Sequence, residues 1–148
     1  MSHSVCVYRR PDRYLFQAYV PHHTGHGSVP TDSILSAPLA VPCDVLGNTL
    51  LTALDSAALL PPPSGPSRQP PLFREAGVRG TRAFFRDTLV CFVDRSDTEL
   101  VFTATAATNS LGSGLARPAG RLLVPASGEE CGRHLLLAFQ LCTADPTS

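Results

Sequence analysis

The sequence predicts an α+β fold, in which one mostly antiparallel sheet of about five strands carries two longer amphipathic helices and one or two short ones. Three observations lead to this prediction. Residues 89–105 have the pattern of two strands joined by a polar connection. Two leucine-rich stretches, at 46–57 and 131–142, repeat their apolar residues at helical spacing. The chain has 148 residues, which is the usual size of a single domain with one core.

Composition excludes several classes of protein. The formal net charge is +0, so no long-range field favours direct binding to nucleic acid or to an anionic membrane. No stretch approaches the ~20 apolar residues that span a bilayer, and the N-terminus lacks a signal-peptide core. We therefore expect a cytoplasmic protein. Its five cysteines lack close pairs, which is typical of small buried apolar residues in a reducing compartment.

The strongest strand signal lies in the second half of the chain. Leu89–Val93 is an uninterrupted apolar run, and Leu100–Thr105 alternates apolar and polar residues. Five polar residues, Asp94–Thr98, lie between them, which predicts a β-hairpin with a five-residue loop. Because Leu89–Val93 is apolar at every position, we expect both of its faces to be buried in the middle of the sheet.

The other strand candidates are shorter. Val5–Tyr8 and Tyr14–Val20 flank a turn and predict a second hairpin. The stretch 35–41 is interrupted by Pro38, which favours an edge strand or a connector. Leu122–Val124 predicts one short strand near the C-terminal end.

Both longer helices have identifiable starts. Asp44 is a candidate N-cap for a helix that continues to about Leu59, where consecutive prolines stop it. Ser127 and Glu130 have the Ser-x-x-Glu spacing of a capping box, which predicts the start of the last helix.

Short helices and loops fill the remaining chain. Leu72–Ala76 predicts one helical turn that ends at Gly77, and Phe84 and Phe85 lie in a second short turn that can cover one face of the sheet. Loops are predicted at residues 21–33, 61–71 and 108–120.

The two longer helices resemble each other. Residues 47–54 and 132–139 share the pattern Gly-x-x-Leu-Leu-x-Ala-[Leu/Phe], and a Val-Pro pair precedes each helix. The similarity indicates either a repeated strand–proline–helix unit or a chance match between leucine-rich helices. Glycine in a first helical turn costs up to about 1 kcal/mol relative to alanine. We therefore hypothesise that these helix starts pack closely against the sheet.

No catalytic signature is present. The densest group of potential metal ligands is His22, His23 and His26, but neighbouring proline and glycines disfavour the helix that would aim two of them at one ion. The sequence contains no nucleophile elbow and no phosphate-binding loop. We therefore predict no catalytic residue, no metal site and no cofactor. A His-dependent metal hydrolase remains an alternative.

Several segments carry a family resemblance. They are Val41–Asp44 leading into Leu46–Leu54, then Phe73–Phe84, the strands Leu89–Val93 and Leu100–Thr105, and the helix start Glu130–Gly132. In this order the chain resembles the immunity proteins of contact-dependent growth inhibition systems in Gram-negative bacteria. The similarity covers roughly residues 39–142.

The resemblance implies a cytoplasmic inhibitor without enzymatic activity. Such a protein binds the C-terminal toxin domain delivered by a neighbouring cell, commonly a nuclease that cuts transfer RNA, and occludes its active site. A monomer or weak dimer is expected. The alternative binding role is an adaptor whose proline-rich segment, residues 61–71, docks on another domain.

A nuclease cleft is basic, so the inhibitor is expected to present carboxylates to it. We predict as partner contacts the hairpin acids together with one aromatic residue and the histidine group: Asp94, Asp97, Glu99, Tyr19, His22, His23 and His26. Other acids are available on the two longer helices: Asp55, Glu129 and Glu130.

Overall fold

A computed structural model describes residues 3–21, 28–60, 70–80, 83–84, 87–105 and 116–143. The strands are β1 (His3–Arg9), β2 (Arg13–Pro21), β3 (Ser28–Pro38), β4 (Leu89–Arg95), β5 (Glu99–Thr105) and β6 (Ala116–Leu123). The helices are α1 (Cys43–Leu59), α2 (Pro70–Ala76) and α3 (Gly128–Thr143).

The six strands form one antiparallel sheet in the order β3-β2-β1-β4-β5-β6. The predicted α+β class is confirmed, with six strands where about five were expected. β4 lies between β1 and β5, as its apolar run predicted, and Val90, Cys91 and Val93 are buried.

The prediction of loops was partly wrong. Residues 28–33 belong to β3 and residues 116–120 to β6, and Pro70 and Pro71 open α2. Both strands lie at sheet edges, where a proline that cannot donate a ladder hydrogen bond is tolerated, so Pro30 and Pro118 gave a misleading loop signal. The remaining parts of the predicted loops, residues 22–27, 61–69 and 108–115, lie outside the described residues.

α1 and α3 cover one face of the sheet, and the periodic residues of both helices form its core. Their buried side chains pack on sheet residues such as Val5, Phe16 and Phe102. The predicted capping box is confirmed, because the Glu130 backbone N–H donates to Ser127 Oγ at 3.1 Å and the Ser127 N–H donates to Glu130 Oε1 at 3.3 Å. The predicted cap of α1 was wrong.

The residue before α1 is Pro42, which makes no side-chain capping bond, and its carbonyl accepts from the Leu46 N–H at 2.9 Å. Asp44 lies inside the first turn and is not the N-cap. Its negative charge there interacts favourably with the positive end of the helix dipole.

The glycines at the helix starts allow the two helices to touch. A Cβ on Gly47 would overlap the carbonyl oxygen of Gly128 and lie 2.6 Å from the backbone nitrogen of Gly132. Close packing therefore explains these glycines, but it brings helix against helix, not helix against sheet as hypothesised.

The two halves of the chain share one architecture. β1, β2, β3 and α1 recur in the same order as β4, β5, β6 and α3, at a nearly constant spacing along the chain. The sheet order is symmetric about the β1–β4 pair, in which Cys6 lies opposite Phe92. A pseudo-two-fold axis normal to the sheet at this pair therefore relates the halves, as in any antiparallel pair.

The repeat indicated by the helices thus extends to the strands. Several residues are identical at equivalent positions: Val7 and Val93, Arg9 and Arg95, Phe16 and Phe102, Ala18 and Ala104, Gly47 and Gly132, Leu50 and Leu135, and Ala53 and Ala138.

Candidate functional site

The second face of the sheet is covered unevenly. Over the first half, α2 places Leu72 against Cys6, Tyr8 and Leu15, and Phe84 closes the same cluster. The rings of Tyr8 and Phe84 meet edge to face at 5.0 Å between centroids. This confirms that the short turn containing Phe84 covers one face.

Over the second half, the same face carries a mixed surface. Alternate residues of a strand share one face, and directly paired residues share it across strands. This rule also places Phe92 and Leu123 on the face, opposite Thr103 and Glu99. We use the term open face for five of its side chains: Asp94, Glu99, Val101, Thr103 and Arg121. Among the described residues no helix packs across them, and Val101 belongs to neither apolar cluster.

The hairpin that carries the acids is tighter than predicted. β4 continues to Arg95 and β5 begins at Glu99, so the loop has three residues where five were expected. Ser96 orders this turn, because its N–H donates to the Glu99 carbonyl at 2.9 Å and its Oγ accepts from the Glu99 N–H at 3.2 Å. Asp94 and Glu99 are therefore strand residues, and only Asp97 lies in the turn.

Each of the hairpin acids has a distinct environment. Asp94 is exposed and accepts a hydrogen bond from Ser4 Oγ on the adjacent strand. Asp97 is exposed. Glu99 pairs with Arg121 at 3.2 Å across β5 and β6, with 29% of its side chain exposed. An ion pair at this level of exposure contributes little to stability.

Tyr19 joins this surface through the strand register. Tyr19 lies opposite Ser4, Ser4 opposite Asp94, and Asp94 opposite Val101, so one row crosses the sheet to Arg121. The ring is half-buried and meets Phe92 edge to face at 6.2 Å. Burial raises the pKa of Tyr19 to about 12, so its hydroxyl stays protonated and can donate a hydrogen bond at neutral pH.

Of the other candidate residues, His22, His23 and His26 fall outside the described residues. Asp55 pairs with Arg95 at 2.8 Å on the helix-covered side of the sheet. The two acids at the start of α3 have local partners: Glu129 pairs with Arg133 at 3.1 Å, and Glu130 completes the capping box.

Three contributors to the open face were missed from the sequence: Val101, Thr103 and Arg121. Val101 alternates with buried Leu100 and Phe102, so strand periodicity alone places it on the opposite face. Arg121 follows a stretch assigned to a loop, and no sequence signal indicated that it would reach Glu99.

The remaining features offer no catalytic arrangement within the part of the chain that the structure describes. An open groove of about 270 Å³ between β3 and α1 is lined by Leu35, Ser36, Val45, Asn48, Thr49 and Thr52, none of which titrates near neutral pH. Among all the described residues, no group of three or more histidine, cysteine or acidic side chains is placed to hold a metal. None of the described helices is long and apolar enough to cross a membrane.

Comparison with known proteins identifies the fold. The sequence matches no family model and no curated protein. A protein of unknown function from Neisseria meningitidis, NMB0488, has a TM-score of 0.74 at 17% identity, covering 96% of each chain. A chain of the CdiA-CT/CdiI toxin and immunity complex from Yersinia pseudotuberculosis has a TM-score of 0.71 at 17% identity, covering 97% of this chain and 98% of that one. These proteins share the fold described above.

Proposed function

We propose that this chain is a cytoplasmic immunity protein that binds and neutralises a cognate contact-dependent growth inhibition toxin domain. The observation that carries the proposal is the likeness to a chain from a toxin and immunity complex over 97% of the present chain. The segments between residues 39 and 142 that resemble the immunity family support the proposal from the sequence alone.

The toxin domain is a nuclease that cuts transfer RNA, and inhibition is occlusion of its active site. A nuclease cleft holds phosphates and is therefore basic. Asp94, Asp97 and Glu99 offer carboxylates at one end of the sheet, and Arg121 is the one cation of the open face. Because the chain has a formal net charge of +0, its attraction to a basic cleft acts mainly at short range. There the acidic surface favours the correct orientation of the two proteins.

Tyr19 and the histidine segment are the proposed flanking contacts. Tyrosine is enriched among residues that dominate binding energy because it buries a large ring while keeping a hydrogen-bonding hydroxyl. His22, His23 and His26 follow directly after β2, the strand that carries Tyr19. The protein carries out no reaction and acts as a monomer or weak dimer.

Co-expression with a cognate toxin domain, to be sought in the gene immediately upstream, tests the proposal. The chain is expected to restore growth, and transfer RNA is expected to be cleaved when the toxin is expressed alone and intact when both are present. Arrested growth despite a soluble chain contradicts the immunity function. Restored growth with transfer RNA intact in both cultures contradicts only the nuclease assignment.

A charge-reversed variant supplies the site control. Asp94→Lys and Asp97→Lys together are expected to weaken protection, because they replace two exposed carboxylates with cations. The matched control is Asp12→Lys with Asp32→Lys, two exposed acids outside the hairpin. Equal protection by both double variants contradicts the role of the hairpin acids.

A further inference from the structure

The first half of the molecule shows how this sheet face accepts a helix. α2 packs on this face, with Leu72 fully buried in the same apolar cluster as Leu15. Arg13 Nη1 donates to the carbonyl oxygen of Glu75 at 3.1 Å, near the end of that helix.

The pseudo-two-fold axis places the open face at the equivalent position in the second half. Val101 takes the place of Leu15, Asp94 that of Tyr8, and Glu99 that of Arg13. The central residue is therefore apolar in both halves, while carboxylates in the second half replace Tyr8 and Arg13 of the first. Among the described residues, no counterpart of α2 lies over Val101.

The charges of the two halves favour different occupants. In the first half, the Arg13 cation meets the carbonyl end of a helix. In the second half, Glu99 already pairs with Arg121 and Asp94 accepts from Ser4, and a covering segment that carries cations would add charge-assisted hydrogen bonds to both carboxylates. Edge strands β3 and β6 contain Pro30 and Pro118, respectively, neither of which has a backbone N–H to offer to a further strand.

We propose that the open face binds a short helix of the toxin domain, which sets one large apolar side chain on Val101 and presents lysine or arginine to Asp94 and Glu99. This inference rests on the proposed function for the identity of the partner. The partner's helix occupies the position that α2 occupies in the first half, and it completes the cover of the second sheet face.

Calorimetric binding of the full-length chain to the cognate toxin domain tests the inference. Val101→Arg and Glu99→Arg are expected to raise the Kd at least about tenfold, because each places a cation where the partner presents its own. Two matched substitutions lie on α3, on the opposite side of the sheet: Leu137→Arg, at a 47% exposed position, and Glu129→Arg, which also breaks a surface ion pair. These controls are expected to leave the Kd within about twofold of wild type.

The outcomes separate the two proposals. Absence of binding by the wild-type chain contradicts the proposed function and this inference together. Wild-type binding that both open-face variants retain contradicts this inference alone. If Val101→Arg does not fold, as judged by its circular dichroism, Glu99→Arg still decides, because Glu99 lies at the partly exposed start of β5.

Hydrogen exchange of the complex and a charge swap identify the bound segment. New protection is expected in peptides that span residues 92–103, and in a helical toxin peptide that contains lysine or arginine. Exchanging that basic residue for glutamate is expected to restore binding to Glu99→Arg. Protection confined to β3, to the edge of β6 or to the α1–α3 surface contradicts the inference.

Discussion

At the scale of single residues, the cysteines act as buried apolar groups. Cys6, Cys91, Cys131 and Cys142 are at most 1% exposed, and all five are free thiols. Burial raises the pKa of Cys6 to about 12 and that of Cys131 to about 11, and it raises the pKa of Cys91 well above its usual value. These thiols therefore remain protonated and are poor nucleophiles at neutral pH.

The buried thiols predict a loss of stability at alkaline pH. In the unfolded chain they release their protons near pH 9, while in the folded chain they keep them, so the unfolded state binds fewer protons above that pH. Their contribution is fully present below pH 9 and is lost as the pH rises. Urea unfolding at pH 8 and pH 9.5 is expected to show a lower free energy of unfolding at the higher pH, with a shallower dependence in Cys6→Ala. Equal values at both pH values contradict this prediction.

At the scale of elements, two features depend on contacts between segments that are distant in the sequence. The polar residues between β4 and β5 suggested a long loop. Asp94 and Glu99 instead belong to these strands, and they are polar because they line the open face. In the helices, glycine occurs where α1 and α3 cross in backbone contact at Gly47, Gly128 and Gly132. Both features occupy a few neighbouring residues, but each is explained by the packing of distant parts of the chain.

Gly47→Ala tests the helix crossing. The new methyl group would overlap the carbonyl oxygen of Gly128, a backbone atom that cannot rotate away. We expect a loss of about 3 kcal/mol or more in the free energy of unfolding, even though alanine favours an isolated helix. Ala58→Ser, at an exposed position of the same helix, is the control and should change stability by less than about 0.5 kcal/mol. A Gly47→Ala variant as stable as wild type would show that the helices separate at little cost.

At the scale of the whole molecule, the pseudo-two-fold symmetry organises both faces of the sheet. The helix-covered face is symmetric, because α1 and α3 pack on equivalent strands through equivalent residues. The second face is asymmetric, because α2 comes from the segment between the two halves and covers the first half. The symmetric face forms the core, and the asymmetry leaves the open face without a helix across it in the part of the chain that the structure describes.

The symmetry predicts equal energetic roles for equivalent core residues. Leu50 and Leu135 are both fully buried, on α1 and α3 respectively. Truncation of either residue to alanine is expected to cost about 2–5 kcal/mol, and the two values should agree within about 1 kcal/mol. Denaturant unfolding of Leu50→Ala and Leu135→Ala measures both. A difference well above that margin would show that the halves share topology without sharing packing.

The sequence by itself determined the features that depend on neighbours along the chain. Period-2 alternation predicted β5, an apolar run predicted the central position of β4, and helical spacing predicted the buried faces of α1 and α3. The Ser127 and Glu130 spacing predicted the start of α3. These signals are readable because each is produced within a few residues by the geometry of one element.

Only the tertiary structure decided which distant residues meet. Tyr19 and Asp94 share one row of the sheet because β1 lies between β2 and β4, and Glu99 meets Arg121 because β6 pairs with β5. Prolines in β3 and β6 are compatible with strands only because both strands lie at edges. The order of the strands in the sheet sets these contacts. That order follows from packing the two halves of the chain against each other, and no local spacing of residues encodes it.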